Sequence, residues 1–187
     1  MGHAYLCSAE TKYNMHVRTA EIEDLSRIRH LYCAVARGEG GIARVENEIT
    51  DGYVRNFLEK SIESGLILVA AHPENADVLI AEIHAFRPGP RVFNHVLSDL
   101  TVVVHPEFQG KKVGRTIFTI FLEEIGINRP DIGRVELIAR ESNKKAIAFY
   151  QSFGFHIEGR LEMRIKTPDG NYEADIPMGW QNPNFEF

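Results

Sequence analysis

The sequence predicts a single mixed α/β domain, on three observations. With 187 residues, 44% of them hydrophobic, the chain can build one substantial core and does not require two. Apolar runs at helical spacing alternate along it with short runs rich in β-branched residues. Residues 97–105 have an unbroken apolar centre, typical of a strand covered on both faces. Residues 1–13 lack a clean period, so we expect an N-terminal extension followed by a domain over 14–187.

The first half of the domain is predicted to hold a strand, two helices and a hairpin. A short strand at 16–18 precedes an amphipathic helix that Thr19 can cap. The apolar residues of this helix are Leu25, Ile28, Leu31, Tyr32 and Val35. A loop at 37–44 with three glycines leads to a second helix. Its apolar side carries Ile49, Tyr53, Phe57 and Ile62. The β-rich runs 66–71 and 78–86 are separated by turn-forming residues and indicate a hairpin.

The second half is predicted to form a strand-helix-strand unit and a final helix with two strands. The covered strand is followed by a helix at 113–127 and a strand at 135–139. The last helix, at 143–152, stops at Gly154, because glycine favours helix C-termini. Two strands then flank a turn at 168–171. This order amounts to about seven strands and four helices in one domain.

Composition excludes several classes of function. The formal net charge of -5 leaves no global basic field for a nucleic-acid partner. No apolar run approaches the roughly 20 residues that span a bilayer, and the start lacks the apolar stretch of a secretory signal. We therefore expect a soluble, cytoplasmic protein. The two cysteines, Cys7 and Cys33, indicate neither a disulfide scaffold nor a zinc site, and we expect no metal.

The loop between the covered strand and the next helix is predicted to bind an anion. Backbone N–H groups and the positive end of a helix dipole meet there. Cations at a helix N-terminus are normally unfavourable by roughly several tenths of a kcal/mol, yet Lys111, Lys112 and Arg115 all lie at this one. Gly110 and Gly114 let the backbone approach a ligand closely. A bound polyphosphate would stabilise this arrangement, while a plain turn with solvated lysines is the alternative.

Two segments carry a resemblance to a known family. Residues 104–114, VHPEFQGKKVG, resemble motif A of the GNAT superfamily of N-acetyltransferases, and residues 143–155, NKKAIAFYQSFGF, resemble its motif B. The order of elements from about residue 15 to 180 is also similar. The resemblance implies a central mixed, mostly antiparallel sheet with a parallel, splayed pair at its fourth and fifth strands, and acetyl-CoA as co-substrate. It extends to the phosphinothricin-acetyltransferase-like and protein N-terminal acetyltransferase branches.

The resemblance also implies where the cofactor lies. Its pantetheine arm would pair with the backbone of Val102 and Val104. Lys112 stands where the family signature has its central glycine, so its side chain would supply charge there instead. Asn143 and Tyr150 are seven residues apart and share one helix face, although Asn143 equally suits an N-cap. The implied contact residues are Val102, Val103, Val104, Gln109, Gly110, Lys111, Lys112, Val113, Gly114, Arg115, Asn143, Ala146 and Tyr150.

The same resemblance implies an acid and a base. Tyr150 matches a tyrosine that donates a proton to the departing thiolate, and a phenol with a pKa of about 10 is protonated at neutral pH; a core tyrosine is the alternative. An attacking amine must also lose a proton. The candidate bases are Asp99, Glu82, His84 and Glu141. Asp99 is preferred because its position resembles an acidic residue of the phosphinothricin-acetyltransferase-like branch, and Glu82 is the second choice.

The predicted function is direct transfer of an acetyl group from acetyl-CoA to a primary amine in a ternary complex. The alternative is a non-catalytic acyl-CoA-binding regulatory protein. The resemblance implies that the acceptor, a small-molecule or a protein amine, is selected by the loop at 37–46 and the final strand pair at 158–177. Acidic residues there that could attract a cationic amine are Glu39, Glu46, Glu48, Glu173 and Asp175. The sequence leaves open whether the protein forms a homodimer, because no single exposed apolar face demands one.

Overall fold

A computed structural model describes residues 4–5, 15–38, 42–167 and 169–186. The helices are α1 (Leu25–Ala36), α2 (Asp51–Ser64), α3 (Val113–Asn128) and α4 (Lys144–Gln151). The strands are β1 (Ala4–Tyr5), β2 (His16–Thr19), β3 (Leu66–His72), β4 (Asn75–Phe86), β5 (Val96–Val104), β6 (Arg134–Arg140), β7 (His156–Ile157), β8 (Leu161–Lys166) and β9 (Tyr172–Gln181). The mixed α/β architecture with four helices is confirmed.

The sheet has two more strands than predicted, β1 and β7, each of two residues. β1 belongs to the expected extension, and it pairs with β2 through Ala4–Arg18 and Tyr5–Val17. The rest of that extension, 1–3 and 6–13, lies outside the described residues. At least two residues of the extension therefore join the sheet, because the edge of β2 offers unpaired backbone groups.

The strand order is β1-β2-β3-β4-β5-β6-β9-β7, with β8 also paired to β9. Every pairing between described strands is antiparallel except that of β5 with β6. This parallel pairing is confined to Val96–Arg134 and Leu97–Val135. The predicted splayed parallel pair is confirmed; the additional β1 makes its members the fifth and sixth strands.

Helices cover both faces of the sheet. Under α1 and α2, Ile28, Tyr32 and Phe57 pack on sheet residues that include Val69 and Val103. Under α3 and α4 lies a larger cluster, whose buried aromatic residues include Phe108, Phe118, Phe121 and Phe155. β5 contributes side chains to both clusters, which is why its centre is apolar without interruption.

Two local predictions were wrong. Thr19 does not cap α1, because a 3-10 turn at Ile22–Asp24 precedes it. The buried Asp24 carboxylate stabilises that turn by accepting hydrogen bonds from Arg18 (2.6 Å) and from the Glu21 amide (2.9 Å). In α2, Ile62 is 50% exposed, because its direction lies outside the buried stripe. That stripe consists of Val54, Phe57, Leu58 and Ser61.

Candidate functional site

A bulge in β5 opens the sheet beside the splayed strands. Phe86 pairs with Ser98 while His84 pairs with Thr101, so three steps along β5 oppose two along β4. At this point Asp99 has a φ of 57°, in the left-handed region that asparagine and aspartate tolerate best among residues with a side chain. A bulge bends its strand and raises the local twist. β5 therefore diverges from β6 immediately after their paired residues.

A cavity of about 670 Å³ occupies the gap. Residues from both helical layers line it, so it passes from the α2 side of the sheet to the α4 side. The lining residues from α2 are Tyr53, Asn56, Phe57 and Lys60. Those from α4 and its cap are Asn143, Ala146 and Tyr150. A smaller cavity of about 310 Å³ lies at the base of the splay, where Ser98 Oγ donates to Glu136 at 3.1 Å.

Tyr150 lies in this cavity with its ring against an aromatic cluster. The ring centroids of Phe118, Phe149 and Phe155 are 5.7, 5.6 and 6.1 Å from that of Tyr150. Burial raises the pKa of the Tyr150 hydroxyl to about 12. No hydrogen-bond partner for this hydroxyl is found among the described residues. The phenol is thus protonated at neutral pH and can donate to a ligand.

Asn143 is an N-cap, one of its two predicted roles. Its Oδ1 accepts from the backbone N–H of Ala146 at 3.1 Å, which begins α4. Asn143, Ala146 and Tyr150 nevertheless all line the cavity, as their shared helix face predicts. The cap leaves the Asn143 amide nitrogen, a donor, available to a ligand.

The candidate bases differ in whether they line the larger cavity. Asp99 lines both cavities, and it is the only carboxylate among the described residues that lines the larger one. Glu82 is fully buried and does not line it. Glu141 also stays outside the lining, and Arg160 lowers the pKa of its carboxyl by hydrogen bonding at 2.7 and 2.8 Å.

Glu82 contacts the cavity only through a neighbour. Its Oε2 accepts from the Tyr32 hydroxyl at 2.6 Å, and its Oε1 lies 2.8 Å from His84 Nδ1. The His84 ring stacks on Phe57 with centroids 4.2 Å apart and lines the cavity. Burial, followed by the charge of Glu82, raises the pKa of Tyr32 well above its ordinary value. The choice of Glu82 as a direct base is therefore not supported by its position.

Two residues of the loop before α3, Gly110 and Lys112, have a left-handed backbone conformation. Gly110 has a φ of 72°, and a Cβ there would meet nothing within 4 Å. At Gly114 a Cβ would approach Val104 Cγ2 at 3.2 Å. Lys112 precedes the helix with a φ of 67°, a conformation that glycine adopts at little cost. The family signature has glycine here, and the backbone retains the glycine-like conformation despite the lysine.

Several predicted cofactor residues have other contacts. Residues 103–104 and 109–115 do not line the larger cavity. Gln109 Nε2 donates to the Val104 carbonyl at 3.2 Å, a group that the resemblance assigns to the pantetheine arm. Arg115 donates to Ser152 Oγ at 2.9 Å, and its guanidinium lies 4.8 Å from the Phe153 ring centroid. The side chains of Val103 and Val113 are buried, so these two residues have only backbone groups to offer a cofactor.

Sequence reasoning missed the α2 wall of the cavity. Tyr53, Asn56, Phe57 and Lys60 recur at helical spacing. The signal available was the pair of polar residues, Asn56 and Lys60, on this otherwise aromatic stripe.

Across the described ranges, no group of three His, Cys, Asp or Glu side chains is placed to hold a metal ion. Nor is any helix in those ranges long and apolar enough to cross a membrane.

Comparisons with known proteins give matches to a family model, to a relative over part of its length and to solved structures of the same fold. A model of the acetyltransferase (GNAT) domain matches residues 31–157. Spermidine N(1)-acetyltransferase of Escherichia coli strain K12 is 30% identical over 87 residues, 46% of each protein. An acetyltransferase of the GNAT family from Streptococcus pneumoniae has a TM-score of 0.77 at 19% identity, with 89% of this chain and 99% of that one covered. The structure of yncA, a putative acetyltransferase from Salmonella typhimurium with acetyl-CoA, has a TM-score of 0.75 at 20% identity, with coverages of 93% and 96%.

Proposed function

Because the chain belongs to the GNAT family of acetyltransferases, we propose that it transfers the acetyl group of acetyl-CoA to a primary amine. The observation that carries this proposal is the cavity at the splay of β5 and β6. It brings Asp99 and Tyr150 to one space that is lined from both sides of the sheet. Deprotonation of an ammonium group before the amine attacks requires a proton acceptor, and departure of a thiolate requires a proton donor; this cavity holds one of each.

The cofactor would lie along β5. Beyond Leu97 this strand is not paired with β6, so the amides of the pantetheine arm can use its exposed edge. Gln109 would have to release the Val104 carbonyl for this pairing. The phosphates would lie at the loop of Gly110 and Lys112, where backbone N–H groups and the α3 dipole favour an anion.

The chemistry balances with two residues. Asp99 takes a proton from the ammonium group, and the freed amine attacks the thioester carbonyl carbon. A backbone N–H near Val104 stabilises the negative oxygen formed. As the carbon–sulfur bond breaks, Tyr150 donates its proton to the sulfur. The attached nitrogen gives up its second proton, which returns to Tyr150 through solvent, and Asp99 releases its proton to solvent. The products are the amide and CoA. Glu82 does not contact the reacting groups; it holds the His84 ring at the cavity wall.

The experiment measures CoA release from acetyl-CoA with a panel of primary amines, for the wild type and Tyr150→Phe. We expect turnover with at least one amine and a fall of about 10²- to 10⁴-fold in kcat for the variant, the usual contribution of a general acid. Calorimetric titration with acetyl-CoA supplies the binding constant for both proteins. Cofactor binding with no turnover on any amine would instead support an acyl-CoA-binding regulatory protein.

A further inference from the structure

The α2 side of the cavity carries more positive than negative charge, a feature that the reaction itself does not require. Arg44 and Lys60 line this side, and Arg140 lines the cavity from β6. Asp99 is the only carboxylate in the lining among the described residues, and the proposed reaction already uses it. Arg140 lies 3.9 Å from Glu173, so Arg44 and Lys60 are the cationic side chains that remain to be explained by what the cavity binds.

Arg44 and Lys60 rest on aromatic rings and not against carboxylates. The Arg44 guanidinium carbon lies 4.2 Å from the Tyr53 ring centroid, and Lys60 Nζ lies 5.1 Å from that of Phe86. Both rings line the cavity, so the two charges stay at its wall. Within the described parts of the chain neither cation has an ion-pair partner.

Neighbouring cations behave differently. On α1, Arg29 pairs with Asp51, and at the end of that helix Arg37 pairs with Glu46. On α2, Arg55 pairs with Glu59. Carboxylates are therefore available on this side of the molecule, but they neutralise arginines away from the cavity. The unpaired charges at the wall are favourable sites for a ligand anion, since a charge-assisted hydrogen bond is about twice as strong as a neutral one.

The acidic residues suspected of attracting a cationic amine do not line the cavity. Glu46 is bound to Arg37 at 2.5 Å, and Glu48 accepts from the Val45 amide at 3.0 Å. Glu173 lies 3.9 Å from Arg140 and Asp175 lies 3.6 Å from Arg164. Glu39 lies outside the described residues. The charge pattern is thus opposite to the one that a polyamine would need.

We infer that the acceptor is an amine that also carries an anionic group, a carboxylate or a phosphonate, within a few bonds of its nitrogen. Arg44 and Lys60 bind that group while Asp99 faces the ammonium. This inference rests on the proposed acetyl transfer and names the substrate class for the same cavity. A linear diamine would place its second positive charge against these cations and would be rejected by repulsion.

The test compares amines that carry different charges, with each amino acid matched to its neutral carboxamide. Each L-amino acid is compared with its carboxamide, an aminoalkylphosphonate, 1,4-diaminobutane and a peptide with a free N-terminus. We expect kcat/KM at least about tenfold higher for an anionic amine than for its carboxamide, a modest effect for one charged contact. The amino-acid and phosphonate arms decide which anion the site takes.

Variants then locate the effect. In Arg44→Gln and Lys60→Gln, KM for the anionic amine should rise about tenfold with kcat nearly unchanged, because binding in ground and transition states is lost equally. KM for the carboxamide and for acetyl-CoA should stay constant. The matched control is Arg55→Gln, on the same helix but outside the cavity.

Binding measurements separate this inference from the proposed function. Calorimetric titration of the same amines into the CoA-bound protein reports the charge preference even if no amine is turned over, and absent turnover would count against acetyl transfer alone. The inference is overturned if the diamine, the carboxamide or the peptide binds as well as the anionic amine. It is also overturned if both glutamine variants bind the anionic amine as the wild type does.

Discussion

Glu82 Oε1 lies 2.8 Å from Nδ1 of His84, and this contact connects a fully buried carboxylate to the wall of the cavity. The hydroxyl of Tyr32 holds the other carboxylate oxygen at 2.6 Å. An imidazole whose Nδ1 is engaged presents its other nitrogen, Nε2, in one defined tautomer and orientation. The pair is therefore expected to position the acceptor.

Glu82→Gln should lower kcat/KM about tenfold, because the neutral amide orients the imidazole less strongly than the carboxylate. It should also lower the free energy of unfolding by about 1–3 kcal/mol, since buried polar partners are then imperfectly matched. Steady-state kinetics and urea unfolding measure the two effects. In a His84→Phe background the same substitution should leave kcat/KM unchanged; a further tenfold fall there would refute positioning through His84. Glu59→Gln, exposed on α2, is the control.

Asp99→Asn should reduce kcat/KM by about 10²- to 10⁴-fold, because the amide cannot accept the ammonium proton. Asparagine tolerates the left-handed backbone at this bulge, so the fold should be kept. Raising the pH should recover part of the activity, since more of the amine is then already unprotonated. Affinity for acetyl-CoA should not change. Asp77→Asn, on the exposed part of β4, supplies the comparison, and equal losses in both variants would remove Asp99 from the mechanism.

The raised pKa of Tyr150 predicts a stability loss in alkali. Its pKa is about 12 in the folded protein against about 10 when unfolded. Below pH 10 both states are protonated, so stability is unaffected; between about pH 10 and 12 only the unfolded state releases the proton, and the free energy of unfolding falls. Urea unfolding from pH 8 to 12 should show a smaller fall for Tyr150→Phe than for wild type. Tyr172→Phe, at an exposed position, should match wild type.

Substitutions of Lys112 can separate the effect of its backbone strain on stability from the effect of its charge on cofactor binding. Its φ of 67° costs a residue with a Cβ about 1–2 kcal/mol. Lys112→Gly and Lys112→Ala both remove the charge, but only glycine relieves the strain. Differential scanning calorimetry should therefore find the glycine variant more stable than the alanine variant by about 1 kcal/mol, and KM for acetyl-CoA should rise equally in both. Equal stabilities of the two variants would show that the strain is absent.

Local sequence patterns predicted the secondary structure well where that structure depends on residues close in sequence. The apolar spacing of α3, the turn between β3 and β4, and the cap at Asn143 depend on residues close in sequence. The predictions that Thr19 caps α1 and that Ile62 lies on the buried side of α2 were wrong, because both depend on contacts that the spacing of apolar residues does not reveal. The Asp24 carboxylate, bonded to Arg18 and to the Glu21 amide, stabilises the 3-10 turn that precedes α1. The buried stripe of α2 is set by the sheet against which it packs.

The sequence by itself determined the order of the four helices and of every described strand except β1 and β7. It also determined the loop of Gly110 and Lys112 and the helix face shared by Asn143 and Tyr150. All of these follow from periodicity and backbone preference over a few residues. Only the tertiary structure decided which acidic residue meets the cavity. The bulge in β5 exposes Asp99, whereas pairing between strands and packing of α1 bury Glu82 against Tyr32. Long-range pairing creates these contacts, and no local pattern encodes it.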